Sequence, residues 1–256
     1  AGKMISLWHD AREIGMELNT HGEYGEVPNR AELEESIKHK GWDKIIIDDE
    51  NNTVFITDPY VSLDVGSVAK GYATQKVAEY LVTENVKNAV IDAGGNLKAL
   101  SGKYNGKEWI TGIRNPNNPS LSPDDSLLTV QYSGDKSAVT SGDYERAFIA
   151  KDGKSYSHII DPDTTYPADK YRSVTIITTD AGVADCLSTA LFCLDYEDGL
   201  KVIEQYKKDH DNAFLEVVWV ANKNINFETD NVYHTKSFNI AYTEGLKGKI
   251  NIINDK

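Results

Sequence analysis

The amino-acid sequence predicts an α+β fold, a single domain over residues 1–256 with mixed or antiparallel sheets and packed helices. Helical periods bracket a middle that is rich in short β-prone runs. Turn formers separate those runs, and no internal repeat, low-complexity linker or break in composition divides the chain. With 40% hydrophobic and 26% charged residues, the 256-residue chain has a globular composition and enough length to bury a core.

The first forty residues read as helix. Ala31–His39 follows Pro28-Asn29, a helix-start pair, and Gly41 stops it. Lys44–Asp48 and Thr53–Thr57 flank Asn51-Asn52 as the arms of a hairpin. Ser67–Glu84 carries Ala69, Ala73, Val77 and Tyr80-Leu81 at a helical period, and Asn88–Asp92 is a short buried strand running into Gly94-Gly95. Trp109–Ile113, Leu127–Gln131 and Ala147–Ala150 read as strands, and a loop over 115–125 lies among them. Asp152-Gly153 turns into a further strand over Ser155–Ile160. Ser173–Ile177 is a strand, Ala181–Leu194 and Gly199–Lys207 are helices, and Phe214–Val220 opens a tail of short strands.

Charge narrows the function classes. Twenty-seven Lys and Arg against 40 Asp and Glu give a net charge of −13, which argues against a general binder of nucleic acid or anionic membrane. A polyanionic ligand would need a local device: a metal ion, a glycine turn or a helix start. No apolar run approaches the ~20 residues of a membrane-spanning helix, and residues 1–18 are too charged for a signal peptide. Cys186 and Cys193 stand seven apart in one predicted helix, ~10 Å along its axis and beyond the ~7 Å limit of a disulfide. They read as small core residues.

Four segments carry residue types suited to chemistry. In Asp64-Val-Gly-Ser-Val-Ala-Lys70-Gly-Tyr72, a glycine before a helix start turns Ser67 and the first backbone amides toward an anion or a metal-bound ligand. A plain helix entry with Lys70 in solvent is the alternative. In Asp92-Ala-Gly-Gly-Asn96, adjacent glycines permit unusual φ or close backbone approach; a tight turn does the same. Thr140-Ser-Gly-Asp-Tyr-Glu-Arg146 precedes Ser157-His158-Ile-Ile-Asp161-Pro162, where His158 is either a base for a hydroxyl proton or a hydrogen-bonded structural histidine. The other five histidines lie in charged stretches. In Ala184-Asp185-Cys-Leu-Ser188-Thr189, helical spacing puts Asp185, Ser188 and Thr189 on one face, opposite Leu187, Leu191 and Leu194. A carboxylate with two hydroxyls is a hard-oxygen set suited to Mg²⁺ and unsuited to zinc; an aspartate favoured by the helix dipole is the alternative.

In this order the segments LDVGSVAKGY (63–72), DAGGN (92–96), TSGDYER (140–146), HIIDP (158–162) and ADCLST (184–189) resemble the ApbE family of FAD:protein FMN transferases. The resemblance implies that Asp185 and Thr189 are side-chain ligands of Mg²⁺. It places Ser188 where some members carry a second aspartate, and Ser67 where members supply another metal contact. It places Asp64, Lys70 and Ile160 at positions that contact FAD, and His158 at the base for the acceptor hydroxyl. The implied reaction moves FMN from FAD to a serine or threonine of a target protein through a phosphoester, releasing AMP. Hydrolysis of FAD to FMN and AMP, and flavin binding without turnover, are the alternatives. Members are usually extracytoplasmic and often lipid-anchored.

Three departures from the family pattern stand out. Members carry an N-terminal segment of roughly a hundred residues, flavin-holding in part, ahead of the stretch matching Ile5–Trp8. Gln75 stands where many have aspartate. Thr165 replaces the glycine that usually ends the turn after His158, which leads us to expect a re-shaped loop there.

Overall fold

The computed structural model describes residues 2–120 and 122–254. Leu121, inside the loop read over 115–125, lies outside the described residues. The α+β expectation holds: five helices accompany strands whose ladders are all antiparallel among the described residues. By its internal contacts the chain divides into two compact units, Ala1–Val65 with Glu145–Ala168, and Gly66–Tyr144 with Asp169–Lys256.

In the first unit, α1 (Gly2–Thr20) and α2 (Arg30–Ser36) accompany two hairpins, β1 (Ile45–Asp48) with β2 (Thr53–Ile56) and β8 (Phe148–Ile149) with β9 (Ser155–Tyr156). The helix predicted over the first forty residues is interrupted. Gly22, at φ 77°, closes α1: its N–H donates to the Asn19 carbonyl, and the Glu23 N–H that follows donates to the Leu18 carbonyl. Gly25 then leaves helical geometry to bridge Ala150. Asn29 caps α2 by accepting the Ala31 N–H at 2.8 Å. The strand predicted over Ser155–Ile160 ends at Tyr156, because Ile160 instead bridges Pro167 across the following turn. Met4, Trp8, Leu33, Phe148 and Ala150 form the core of this unit.

The second unit is layered. A seven-stranded sheet runs β12-β13-β11-β10-β7-β4-β3. Its strands are β3 (Ala89–Asp92), β4 (Asn96–Leu100), β7 (Ser137–Gly142), β10 (Ser173–Thr178), β11 (Leu215–Asn222), β12 (Val232–His234) and β13 (Phe238–Tyr242). A second sheet, β14-β6-β5, comprises β5 (Trp109–Arg114), β6 (Ser126–Tyr132) and β14 (Ile250–Ile252). Ala99, Ile113, Leu128, Ala138, Ile177 and Val218 form the core that both sheets share. Period-2 alternation turns the other face of the large sheet toward α4 (Ala181–Cys193), which packs on β7 and β10, with α3 (Ala69–Thr83) against α4. The last helix is α5 (Tyr196–Asp209).

Two strands escaped the sequence reading, β4 and β7. Ser137-Ala-Val-Thr-Ser-Gly has little β propensity of its own, yet it lies mid-sheet between β10 and β4, where pairing on both edges decides its conformation. Neither cysteine forms a disulfide, as their spacing predicts, but Cys186 is exposed and Cys193 only half-buried. The core placement is therefore corrected: Ala184, Ser188 and Leu191 face the sheet, and Cys186 points away.

Candidate functional site

In the second unit, the starts of α3 and α4 are drawn together around one carboxylate. Gly71 sits where an added Cβ would lie 2.2 Å from the Ala181 carbonyl oxygen and 2.5 Å from the Asp185 Cβ. Only glycine permits this approach, and it brings the Gly71 N–H within 2.7 Å of Asp185 Oδ2. Asp180 caps α4 by accepting the Val183 N–H at 2.8 Å, and Gln75 accepts the Ala181 N–H at 3.1 Å through its side-chain oxygen. Gln75 thus serves the helix end with a neutral acceptor. Lys70 reaches from the first turn of α3 to donate to the Gly94 carbonyl at 3.2 Å. The Gly94-Gly95 turn, with φ 67° and 86°, delivers Asn96 into the same locus.

Asp185 is 6% exposed. Burial raises its carboxyl pKa above the ordinary value, and the Gly71 amide, the Lys70 charge and Asn96 work against that rise. Ser188 and Thr189 stand beside it, as the helical spacing predicts, but not opposite the leucines: Leu191 shares the buried face with Ser188. The fully buried Ser188 hydroxyl donates to the Asp185 carbonyl at 2.9 Å and meets the Ser141 hydroxyl at 2.8 Å. Ser141 also meets the half-buried Thr189 hydroxyl at 3.3 Å. Ser141 and Asn96 had no assigned role in the sequence reading, although both stand inside motifs it singled out. Ser67, half-buried, lies in the turn that leads into α3.

In the first unit, His158 is half-buried, and its Nδ1 lies 3.1 Å from the Glu145 carbonyl oxygen. A carbonyl oxygen only accepts, so Nδ1 carries the proton and Nε2 keeps its lone pair. Burial lowers the imidazole pKa, and the charges of Arg12 and Arg146 add to that; the Glu145 bond opposes it. The turn after His158 is pinned at two points. Trp8 Nε1 donates to the Thr165 carbonyl at 2.7 Å, and Lys40 donates to the Pro162 carbonyl at 2.7 Å. Thr165 holds φ 67°, so the backbone keeps a glycine-like conformation despite the threonine. Ile160 packs partly against the core of this unit, and Asp64 lies on an exposed stretch.

A sequence profile of the ApbE family matches residues 1–214. The chain belongs to the ApbE family. It is 33% identical over 215 residues to a FAD:protein FMN transferase of Klebsiella pneumoniae, covering 84% of this chain and 61% of that one. A FAD:protein FMN transferase of Treponema pallidum is 37% identical over 164 residues, 60% of this chain and 44% of the relative. The ApbE protein of Thermotoga maritima superposes with a TM-score of 0.66 at 33% identity, covering 85% of this chain and 65% of that structure. The flavin transferase ApbE of Vibrio cholerae gives 0.63 at 27% identity, covering 87% and 63%. The chain thus spans less than two thirds of the length of each.

Mg²⁺ is the ion that the resemblance leads us to expect, and the residues around Asp185 can be tested against it. Among the described residues no cluster of three or more His, Cys, Asp or Glu side chains exists, so the donor set is one carboxylate and oxygen ligands. That chemistry suits a hard cation that keeps waters and takes further oxygens from a phosphate ligand. A cation would also relieve the burial penalty on the Asp185 charge. Asp185 and Thr189 fit. Ser188 fits less well as a direct ligand, since its hydroxyl is wholly buried and engaged with Ser141 and the Asp185 carbonyl at 2.8 and 2.9 Å, whereas the half-buried Thr189 meets the same groups only at 3.3 and 3.4 Å.

Proposed function

We propose that this chain transfers FMN from FAD to a serine or threonine hydroxyl of a target protein, in a Mg²⁺-dependent reaction that releases AMP. The observation that carries the reading is the buried Asp185 carboxylate, held by the Gly71 amide beside Thr189 and Lys70 in a chain whose net charge is −13. A diphosphate ligand needs such a local device to approach a chain this acidic.

In this reading Asp185 and Thr189 hold the ion, with Ser67 and Ser188 assisting, and Asp64, Lys70 and Ile160 contact FAD. When bound, Mg²⁺ supplies charge stabilisation at the phosphoryl oxygens. Lys70 adds a fixed positive charge for the same oxygens. His158 takes the acceptor hydroxyl proton at Nε2 as that oxygen bonds to the FMN phosphorus. The bond from that phosphorus to the AMP oxygen breaks, and AMP leaves. Nδ1–H on the Glu145 carbonyl keeps the imidazole in the tautomer that accepts a proton. On family grounds alone, we extend the proposal to an extracytoplasmic, lipid-anchored setting.

Chromatography of AMP after mixing the chain with FAD tests the proposal, with and without Mg²⁺ and with and without a threonine-bearing acceptor. The expected result is Mg²⁺-dependent AMP together with flavin fluorescence on the acceptor in a denaturing gel, both lost in Asp185→Ala. AMP without labelled acceptor would turn the reading to FAD hydrolysis. FAD binding without AMP would leave a flavin binder.

A further inference from the structure

Asn96 is the first residue of β4 and is wholly buried, yet neither its Oδ1 nor its Nδ2 meets a partner in bonding geometry. Its neighbour on the same strand face behaves differently. Lys98, 2% exposed, is paired with Asp135 and donates to the Thr179 carbonyl at 2.6 Å. A buried, unpartnered amide is destabilising, and folded proteins rarely retain one without a use for it. Asn96 is delivered by a turn of two positive-φ glycines, and Lys70 from the first turn of α3 grips that turn at Gly94. It therefore sits at the locus where α3, α4 and β4 pack against one another around Asp185.

We infer that Asn96 is a positioning residue for the Asp185 cation site. With a cation in the site, a small turn of its unpartnered side chain would let Nδ2 donate to the Asp185 carboxylate, which the Gly71 amide already holds from α3. Two donors from different elements then fix the plane of the carboxylate, so that its remaining lone pairs face the cation. This inference rests on the Mg²⁺ reading of the preceding section. It extends that reading to a residue whose side chain acts through Asp185 rather than touching substrate, in the way that hydrogen-bonding partners tune metal ligands elsewhere.

The substitution Asn96→Leu separates this role from a structural one. It keeps the approximate shape and removes both unpartnered polar atoms. The full chain is titrated with Mn²⁺ by electron paramagnetic resonance, with Mg²⁺ as competitor, and its Tm is measured in EDTA. We expect Asn96→Leu to keep or raise the Tm, by about 2 °C or more, while Mn²⁺ affinity falls about 10- to 100-fold. Asn96→Ala should weaken Mn²⁺ binding to a similar degree. If the wild-type chain shows no saturable Mn²⁺ site that Mg²⁺ competes for, the cation reading itself fails, and this inference with it. If the wild type binds and both variants bind equally well, or if Asn96→Leu lowers the Tm and spares affinity, the inference alone is overturned.

Discussion

Asp185 is fixed by regular secondary structure, whereas His158 is fixed by a loop and one backbone carbonyl. The carboxylate stands on a 13-residue helix packed on the large sheet, and the first turn of a second helix supplies its hydrogen bond. The imidazole follows a two-residue strand and precedes a turn with a threonine in left-handed geometry. The difference matches the chemistry proposed for each. A cation site needs ligands held to within about half an ångström, which helices and strands provide. A base serving an incoming protein hydroxyl needs mainly the right tautomer and a depressed pKa; the Glu145 carbonyl sets the first, and burial, helped by Arg12 and Arg146, sets the second.

The comparison breaks most severely at Gly71. Gly71→Ala inserts a methyl into the closest approach of α3 and α4, against the Ala181 backbone and the Asp185 Cβ. The helices must separate, which costs about 3 kcal/mol. Mg²⁺-dependent AMP release should disappear and the thermal transition should fall by several degrees. A variant with normal Tm and normal AMP yield would show that the helix contact does not hold the site.

His158→Gln should leave the fold intact and slow transfer by about 10²- to 10⁴-fold. Its pH signature sharpens the test. A histidine with a lowered pKa stays neutral down through the ordinary value of about 6.5, so the acid limb of kcat/KM belongs below that value. The same shift makes folding less favourable as pH falls from the ordinary value through the lowered one, because the unfolded chain takes the proton more readily. A wild-type acid limb at or above 6.5, or one unchanged in His158→Gln, would remove the imidazole from the role of base.

Legibility in the sequence divides along the same line. The boundaries of α3, α4 and the first hairpin follow from apolar period and turn residues, and Asn29 as a cap follows from its residue type. The grouping of Asp185, Ser188 and Thr189 follows from helical spacing. What spacing could not supply was the orientation of that face, since Ser188 is buried by β7, a strand with no propensity signal. Nor could it reveal Asn96 or Ser141, whose placement depends on strands paired across long stretches of chain. Around His158 the motif named the residue, but the Glu145 carbonyl that sets its tautomer is a backbone group, and a backbone group leaves no mark in a residue pattern.

The smallest expected effect concerns the turn after His158. Thr165 is a β-branched residue at φ 67°, a conformation that costs roughly 1–2 kcal/mol for a residue with a side chain. Its carbonyl accepts the Trp8 indole N–H at 2.7 Å, from a ring that is 1% exposed and packed 5.3 Å from both Tyr156 and Tyr166. That bond and the Thr165 N–H donated to the Asp161 carbonyl at 2.9 Å hold the strained residue in place. Trp8→Phe removes the indole bond, leaves a buried carbonyl without a donor, and should lower stability by about 1–3 kcal/mol. In a Thr165→Gly background the same substitution should cost less, because glycine adopts this φ without help. The four denaturation midpoints of the double-mutant cycle measure the coupling directly. A coupling of zero would mean that the indole merely fills space, and that the turn after His158 keeps its shape by its own backbone bonds between Asp161 and Thr165-Tyr166 and by the Lys40 bonds.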